Sequence, residues 1–381
     1  MNFELTEEQE MARNTVREFS RNEIAPVARE FDEAEKFPRQ QLNGLAELGL
    51  LGMIIPEEYG GAGFDTVSYA LALEEIAKAD SSVAVIVSVT NSVCCYPILS
   101  FGTEQQKQKY LVPLAKGEKL GAFCLSEPQA GSDATNLRTK AVKDGDDYII
   151  NGTKSWVTNG GEASVYLVVA VTGETDGKRE ITAFLIDSDA EGVKVSSIEH
   201  KMGQRASQTA EMSFVDVRVS KDNVLGEIGG GMKVALGSLD NGRIGIAALS
   251  VGIAQAALDE ALQYSKDRTA FGKPLTEQQV IQHKLADMGT ETDAARLLTL
   301  QAASLKDSGS KRAGVTASMA KLFASETANK VCAEAVQIHG GNGFSRHYNV
   351  EKYYRDARIT TIYEGTSEIQ RIVISRDVLR G

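Results

Sequence analysis

The order in which hydrophobic periodicities follow one another constrains this chain more than any single motif. Up to about residue 118 apolar side chains recur at helical spacing, over 6–35, 38–48, 66–78, 81–100 and 104–114, and Thr6 with Gln9 forms a capping-box pair at the first start. From about 120 to 226 the texture changes to short alternating or β-branched runs at 147–150, 165–171, 181–186, 193–198 and 210–217, divided by Gly and Asp turns. After Gly229-Gly230-Gly231 helical patterns return over 232–266, 276–307, 311–339, near Tyr353 and over 367–379. Strands and helices are segregated, which disfavours a parallel βαβ sheet and predicts a mainly α protein with a small β domain. The expected units are residues 1–118, helical; 119–228, β; and 229–381, helical again.

At 381 residues the chain exceeds what one core usually holds, so two or three domains fit. A formal net charge of −11 gives no support to nucleic-acid binding, and an anionic ligand would need a local site. Cysteines 94, 95, 124 and 332 form no CxxC pair and read as buried thiols in a reducing compartment. The start, Met1 to Glu8, has neither the basic lead nor the apolar core of a signal peptide, so a cytoplasmic protein is expected. The apolar stretches at 48–56, 83–89 and 165–171 fall short of the ~18–20 residues that cross a bilayer, and no membrane segment is expected.

Several catalytic patterns are missing: no G-x-G-x-x-G after a strand, no Walker loop, no H-E-x-x-H and no G-x-S-x-G. Histidines 200, 283, 339 and 347 show no ligand spacing with the cysteines, so no metal site is expected. What stands out instead is four segments rich in Gly and hydroxyl side chains: Phe123 to Asp133, Trp156 to Gly160, Gln337 to Phe344, and Ile362 to Gln370. Each could bring backbone amides close to a ligand. Each also has a plain structural explanation as a turn, a strand or a helix stop.

Together and in this order the four segments resemble the acyl-CoA dehydrogenase family. The likeness runs the length of the chain, through Tyr59-Gly60-Gly61, His200-Lys201-Met202-Gly203 with Arg205, Leu239 to Arg243, and Arg268 to Pro274 with Gln279. It implies an N-terminal helical domain, a middle β-barrel or sandwich domain and a C-terminal four-helix bundle, with FAD between the latter two. By the same resemblance, Phe123, Leu125, Ser126, Gly131 and Ser132 belong to the loop on the flavin and its pyrophosphate, Ser132 also meeting substrate. Trp156, Val157 and Thr158 would lie beside the flavin ring. Arg268, Phe271, Gln279, Gln337, Ile338, Gly340 and Gly341 would form a second FAD face shared with a neighbouring subunit, implying a homotetramer built as a dimer of dimers. Thr366, Ser367 and Glu368 would also touch the cofactor. Gln129 stands where the family commonly has glycine, and His339 is an atypical residue that reads as packing or hydrogen bonding.

The resemblance makes Glu364 the base that removes the α-proton of a short-chain, butyryl-CoA-like acyl-CoA, FAD the hydride acceptor, and an electron-transferring flavoprotein the partner that re-oxidises it. Some relatives carry the base at the position of Gly242, which here has no side chain to act. Independently, Ser367 and Gln370 have capping-box spacing, which predicts Glu364 on a loop just before the last helix. Gly365 permits close approach of an acyl group to backbone. Asp240 and Arg243, three apart, share a helix face; the resemblance makes them CoA contacts, and a solvated intrahelical ion pair is the alternative. Tyr363 is expected beside the thioester or in simple packing. By the resemblance Cys94 and Cys95 lie where the acyl pocket forms, and they read as buried apolar fillers. An acyl-CoA oxidase of the same fold and a non-catalytic helical binding protein remain as alternative readings.

Overall fold

Helix starts are set by side chains that satisfy orphan amides. Thr6 and Gln9 exchange side-chain and backbone hydrogen bonds in a complete capping box before Glu7–Phe19, and Asp65 and Asp80 cap Thr66–Ala79 and Ser81–Val89. The computed structural model describes residues 4–380, so the reading of the first three residues lies outside them. The helix from Ser81 does not stop at Val89. It passes through a π turn at Thr90–Cys95 into Tyr96–Phe101, giving 21 continuous residues with a mean hydropathy of 1.7 over an 18-residue window.

That corrects the expectation that every apolar run is too short to cross a bilayer. Thr90, Asn91 and Ser92 turn their side chains back onto the carbonyls of Ile86, Val87 and Ser88, which lets two apolar runs join across a polar patch. Gly231–Asp267, 37 residues, passes the same test of length and composition. Both are core helices, with 89% and 78% of their apolar windows buried inside the protein.

The β region is one eight-stranded sheet. Its strands are β1 (Gly121–Cys124), β2 (Lys140–Asp144), β3 (Asp147–Thr158), β4 (Val165–Thr175), β5 (Lys178–Asp187), β6 (Val193–Ile198), β7 (Thr209–Ser220) and β8 (Val224–Leu225). They run in the order β6-β7-β3-β2-β4-β5-β8, with β1 parallel to β4. Apart from a short parallel contact of β2 with β4, the other pairs are antiparallel, as segregated strands require. Period-two alternation splits β4 between two cores. Val165, Leu167 and Val169 pack with the helical residues Leu111, Leu114 and Val234, while Tyr166, Val168 and Ala170 pack with Phe184, Met212 and Phe214.

Gly231–Asp267, Gln279–Asp307 and Ala313–His339 share a third core with Thr66–Ala79 and the Ser81 helix. Small residues on the Gly231–Asp267 helix allow backbone-close packing. A Cβ on Gly231 would lie 2.6 Å from the Thr182 carbonyl carbon, one on Gly245 would lie 2.5 Å from Tyr69 Oη, and one on Gly252 would lie 2.8 Å from Ala77 Cβ.

A buried charge cluster ties the three regions together. Lys352 Nζ lies 2.7 Å from Asp356 and 3.2 Å from Asp80; Asp356 also accepts from Ser81 Oγ at 2.9 Å and from the Gln204 amide at 2.6 Å. Beside it Arg355 grips Asp32 with both Nη atoms, at 3.1 and 2.6 Å. Burial alone would push the Lys352 ammonium down, but the two carboxylates hold it well above the ordinary lysine range. Lys352→Met would strand two carboxylates in the interior, at a cost of about 3–5 kcal/mol. The expected result is a clearly lowered denaturation midpoint, whereas Arg218→Ala, at an exposed ion pair, leaves the midpoint where it is. Equal midpoints for the two variants would contradict this assignment.

Candidate active site

Glu364 and Gly365 form a turn of two successive left-handed residues, φ 53° and 85°, ahead of Ser367–Val378. The hydrogen bonds that hold the turn fall on its carbonyls. Gln370 Nε2 donates to Glu364 O and Gly365 O, each at 3.0 Å, and Lys321 Nζ donates to Gly365 O at 2.8 Å. The cap differs from the expected Ser367–Gln370 box. Thr366 is the N-cap, accepting from the Ile369 amide, and Gln370 is spent on the turn. Ser367 is turned inward, where its hydroxyl is buried and finds no partner, while Glu368 is exposed.

The turn lays the Glu364 carboxyl on the Gly231–Asp267 helix. A Cβ on Gly242 would lie 2.8 Å from Oε2 and 3.1 Å from Oε1, so the carboxyl occupies the space that a side chain at 242 would fill. Oε2 is buried and has no hydrogen-bond partner. Burial pushes the Glu364 pKa above the ordinary carboxylate value, against the opposing pull of Arg243 and Lys321. Arg243 pairs with Asp240 at 3.2 Å, as their spacing suggests, but on no solvated surface: its side chain is 11% exposed and its Nε is buried without a partner. Tyr363, next to the carboxylate, accepts from Gln204 Nε2 at 3.1 Å, so it is fastened to the loop that also bonds Asp356.

A second group of residues is presented by the sheet. Between Lys154 and Val157 the β3–β7 register slips by one residue, and in this bulge Trp156 takes φ 60°. Ser155 and Val157 stay buried while the indole turns outward, 64% exposed. A left-handed tryptophan is costly unless the surroundings impose it, and such strain marks functional sites. The Ser155 amide donates to Ser126 O at 2.9 Å, joining the bulge to the Phe123–Ser132 loop. There Phe123, Leu125 and Ser126 are half-buried and Gly131 and Ser132 exposed; Val157 is buried and Thr158 half-buried.

That loop hangs on a buried ion pair absent from the sequence reading. Glu127, 4% exposed, accepts from Lys154 Nζ at 2.8 Å, from the Arg138 and Thr139 amides at 2.6 and 3.0 Å, and from Gln129 Nε2 at 2.7 Å. Burial pushes its carboxyl up, yet Lys154 and the amides outweigh this and hold it at about 2. Gln129 thus braces the turn, and its φ is not among the positive values, so the position does not require glycine. Cys94 bridges the two groups: a Cβ on Gly121 of β1 would lie 2.7 Å from Cys94 Cβ, and the buried Cys94 thiol is close enough to feel the Glu364 charge. All four cysteines are free and buried.

The third group lies apart on the helical face. Ala270–Phe271–Gly272–Lys273 is a tight hairpin with both central residues left-handed, and Phe271 stands 96% exposed at its tip. Arg268, Gln279, Gln337, Gly340 and Gly341 are exposed, whereas Ile338 and His339 point inward. His339 stacks on Tyr264 at 4.1 Å and its Nδ1 lies 2.8 Å from Ala335 O, a packing role as expected. With Arg268, Asn342 and Tyr348 these two rings line a cavity of about 380 Å³.

Comparison with known proteins gives one answer. Family models for the N-terminal, middle and C-terminal domains of acyl-CoA dehydrogenase match residues 6–118, 122–217 and 229–379. The mitochondrial short-chain specific acyl-CoA dehydrogenase of Mus musculus is 49% identical over 99% of this chain and 91% of its own length. Butyryl-CoA dehydrogenase from Megasphaera elsdenii superposes with a TM-score of 0.97 at 46% identity, covering both chains fully. A chain in the structure reported for the electron-transferring flavoprotein of Acidaminococcus fermentans gives the same TM-score, identity and coverage.

Trp156 is the single tryptophan of the sequence, so its fluorescence reports on this site alone. In protein stripped of flavin its emission should be readily quenched by iodide, and adding FAD back should quench the emission itself and shield the ring from iodide. Emission indifferent to FAD would remove Trp156 from the cofactor site.

Proposed function

The chain belongs to the acyl-CoA dehydrogenase family, and we propose that its centre at Glu364 removes the α-proton of a short-chain, butyryl-CoA-like thioester in the FAD-dependent formation of the trans-2-enoyl-CoA. One observation carries the reading: a carboxylate with one buried, unpartnered oxygen, held by its backbone against a glycine of the longest helix. An acceptor in that state has a lone pair free for a carbon-bound proton. Desolvation strengthens it as a base, with Arg243 and Lys321 pulling the other way.

The residues present fit FAD. An outward tryptophan on a strained bulge offers a flat apolar face, Ser126 and Thr158 lie half-buried beside it, and a Cβ on Gly131 would meet nothing within 4 Å, leaving open approach to the loop backbone. Bound FAD supplies the acceptor for the hydride from Cβ. Phe123, Leu125, Ser126, Gly131, Ser132, Trp156, Thr158, Thr366 and Glu368, with the Val157 and Ser367 backbones, would hold it from this chain. The exposed Arg268, Phe271, Gln279, Gln337, Gly340 and Gly341, with the Ile338 backbone, would reach the cofactor of a neighbouring subunit in a tetramer. The turn at 364–365 is fastened through its carbonyls, and the Glu364 amide would bind the thioester carbonyl. Asp240, Arg243 and Tyr363 would position the CoA and acyl portions, and Gly365 would give them room.

The short-chain preference has support in packing. One helical turn beyond Gly242, Gly245 abuts the Tyr69 and Ser88 hydroxyls, which are bonded to each other at 3.2 Å, so a polar wall stands about 5 Å along the helix from the base. The named relatives are short-chain and butyryl-CoA enzymes. We further propose an electron-transferring flavoprotein as the electron acceptor, residues 1–118, 119–228 and 229–381 as the units, and a cytoplasmic setting, in keeping with four free thiols.

Glu364→Gln should retain FAD and bind butyryl-CoA, yet lose about 10²–10⁴-fold in the anaerobic bleaching of flavin, since it lacks the base. In the native enzyme the raised pKa of Glu364 puts the acid limb of the rate above the ordinary carboxylate value of 4.5. The rate falls as pH drops through it, because only the ionised form accepts a proton. Fast bleaching by Glu364→Gln, or maximal rates only on long acyl chains, would overturn the respective parts of the assignment.

A further inference from the structure

Lys321 fastens the turn that carries the base, and its surroundings make it unusual. It lies in Ala313–His339 on a stripe with Ala317, Ser318, Ala324 and Ser325, all buried, and is itself 0% exposed. Among the described residues it makes no ion-pair contact, and its one hydrogen bond is to Gly365 O at 2.8 Å, 44 residues along the chain. A buried ammonium without a contact counter-ion is expensive, and an alanine-lined helix has no need of it. Gln370 already donates to both carbonyls of the turn, so a neutral donor was available for anchoring. What Lys321 adds is positive charge.

We propose that Lys321 is a positioning residue for the base: its buried ammonium pins the Gly365 carbonyl and places a positive charge without a contact counter-ion beside the turn that carries Glu364. The inference rests on the reading of Glu364 as the base. The groups that act on this pair come from every side. Arg243 comes from Gly231–Asp267, Tyr69 from Thr66–Ala79, Cys94 from the Ser81–Phe101 helix, Glu326 from Lys321's own helix, and Tyr363 and Glu368 from the segment of the base. Only Arg243 and Lys321 are cationic: Arg243 has the larger pull on Glu364 and is paired with Asp240 at 3.2 Å, while Lys321 has no ion-pair contact among the described residues. Burial lowers the Lys321 ammonium to about 8, with Glu364 pulling the other way, so it is charged at neutral pH.

The test uses the FAD-loaded enzyme, butyryl-CoA as substrate and anaerobic flavin bleaching across pH. Neutralising Lys321 raises the pKa of Glu364 further, so Lys321→Gln should move the acid limb up by roughly one pH unit, with FAD content and crotonyl-CoA affinity unchanged. Lys321→Met should show the same shift with a deeper loss of rate, because the bond to Gly365 is lost as well. Lys321→Arg should leave the limb where the native enzyme has it. An unshifted limb in Lys321→Gln would overturn the proposal. A second measurement leaves Lys321 untouched. Its side-chain ¹⁵N resonance, followed through a pH titration, should titrate lower in Glu364→Gln than in the native enzyme, and identical titrations would equally overturn it. Fast bleaching by Glu364→Gln refutes the base itself; a silent Glu364→Gln with an unshifted Lys321→Gln refutes only the role of Lys321.

Discussion

A glutamate in the left-handed region followed by a left-handed glycine is a conformation that a free chain abandons. The strain at the non-glycine residue alone is of order 1–3 kcal/mol. Here the turn persists because both of its carbonyls are claimed, by the amide of Gln370 and the ammonium of Lys321, from two different helices. The carboxylate is delivered by that fastening to a patch of helix with no side chain. Were the turn to relax to ordinary φ, the carboxylate would swing towards water and lose the desolvation that makes it a base.

Buried ion pairs fasten two further junctions. Lys352 with Asp80 and Asp356 joins the first helical region to the last and, through Gln204, to the loop between β6 and β7; Glu127 with Lys154 joins the cofactor loop to β3. Within each region the interior is apolar and rich in alanine, and so tolerant of small slips. Buried ion pairs contribute little net stability after desolvation, but they accept few geometries. In this chain they sit at the seams on which the spacing of Tyr363, Glu364 and the Trp156 bulge depends.

Much of this was legible in the sequence. Capping pairs and long apolar periodicities placed the helices, and alternating runs placed the longer strands, because those signals are local. β1, β2 and β8, at four, five and two residues, are too short to show a period, and β1 is held by its neighbour β4 more than by its own residues. The hydroxyl pair Thr366-Ser367 offers two caps one residue apart, and the choice of Thr366 follows from Gln370 being drawn to the turn. The Trp156 bulge depends on register against β7, some fifty residues on, and so leaves no local trace. Lys321 did leave one, a lysine on a stripe of small buried residues, but its partner lies in another helix's entry loop.

The near-contacts of Gly231, Gly245 and Gly252 make the longest helix a stiff rod clamped at three points, to the sheet at one end and to the first helical region further along. The seat of the carboxylate at Gly242 lies between two of those clamps. A methyl group added at 252 therefore acts like a shim under a lever: it lifts the rod from its neighbour and is felt ten residues away as a displaced seat. Loss of turnover from a substitution outside the substrate's reach is the mutational signature such a rod imposes.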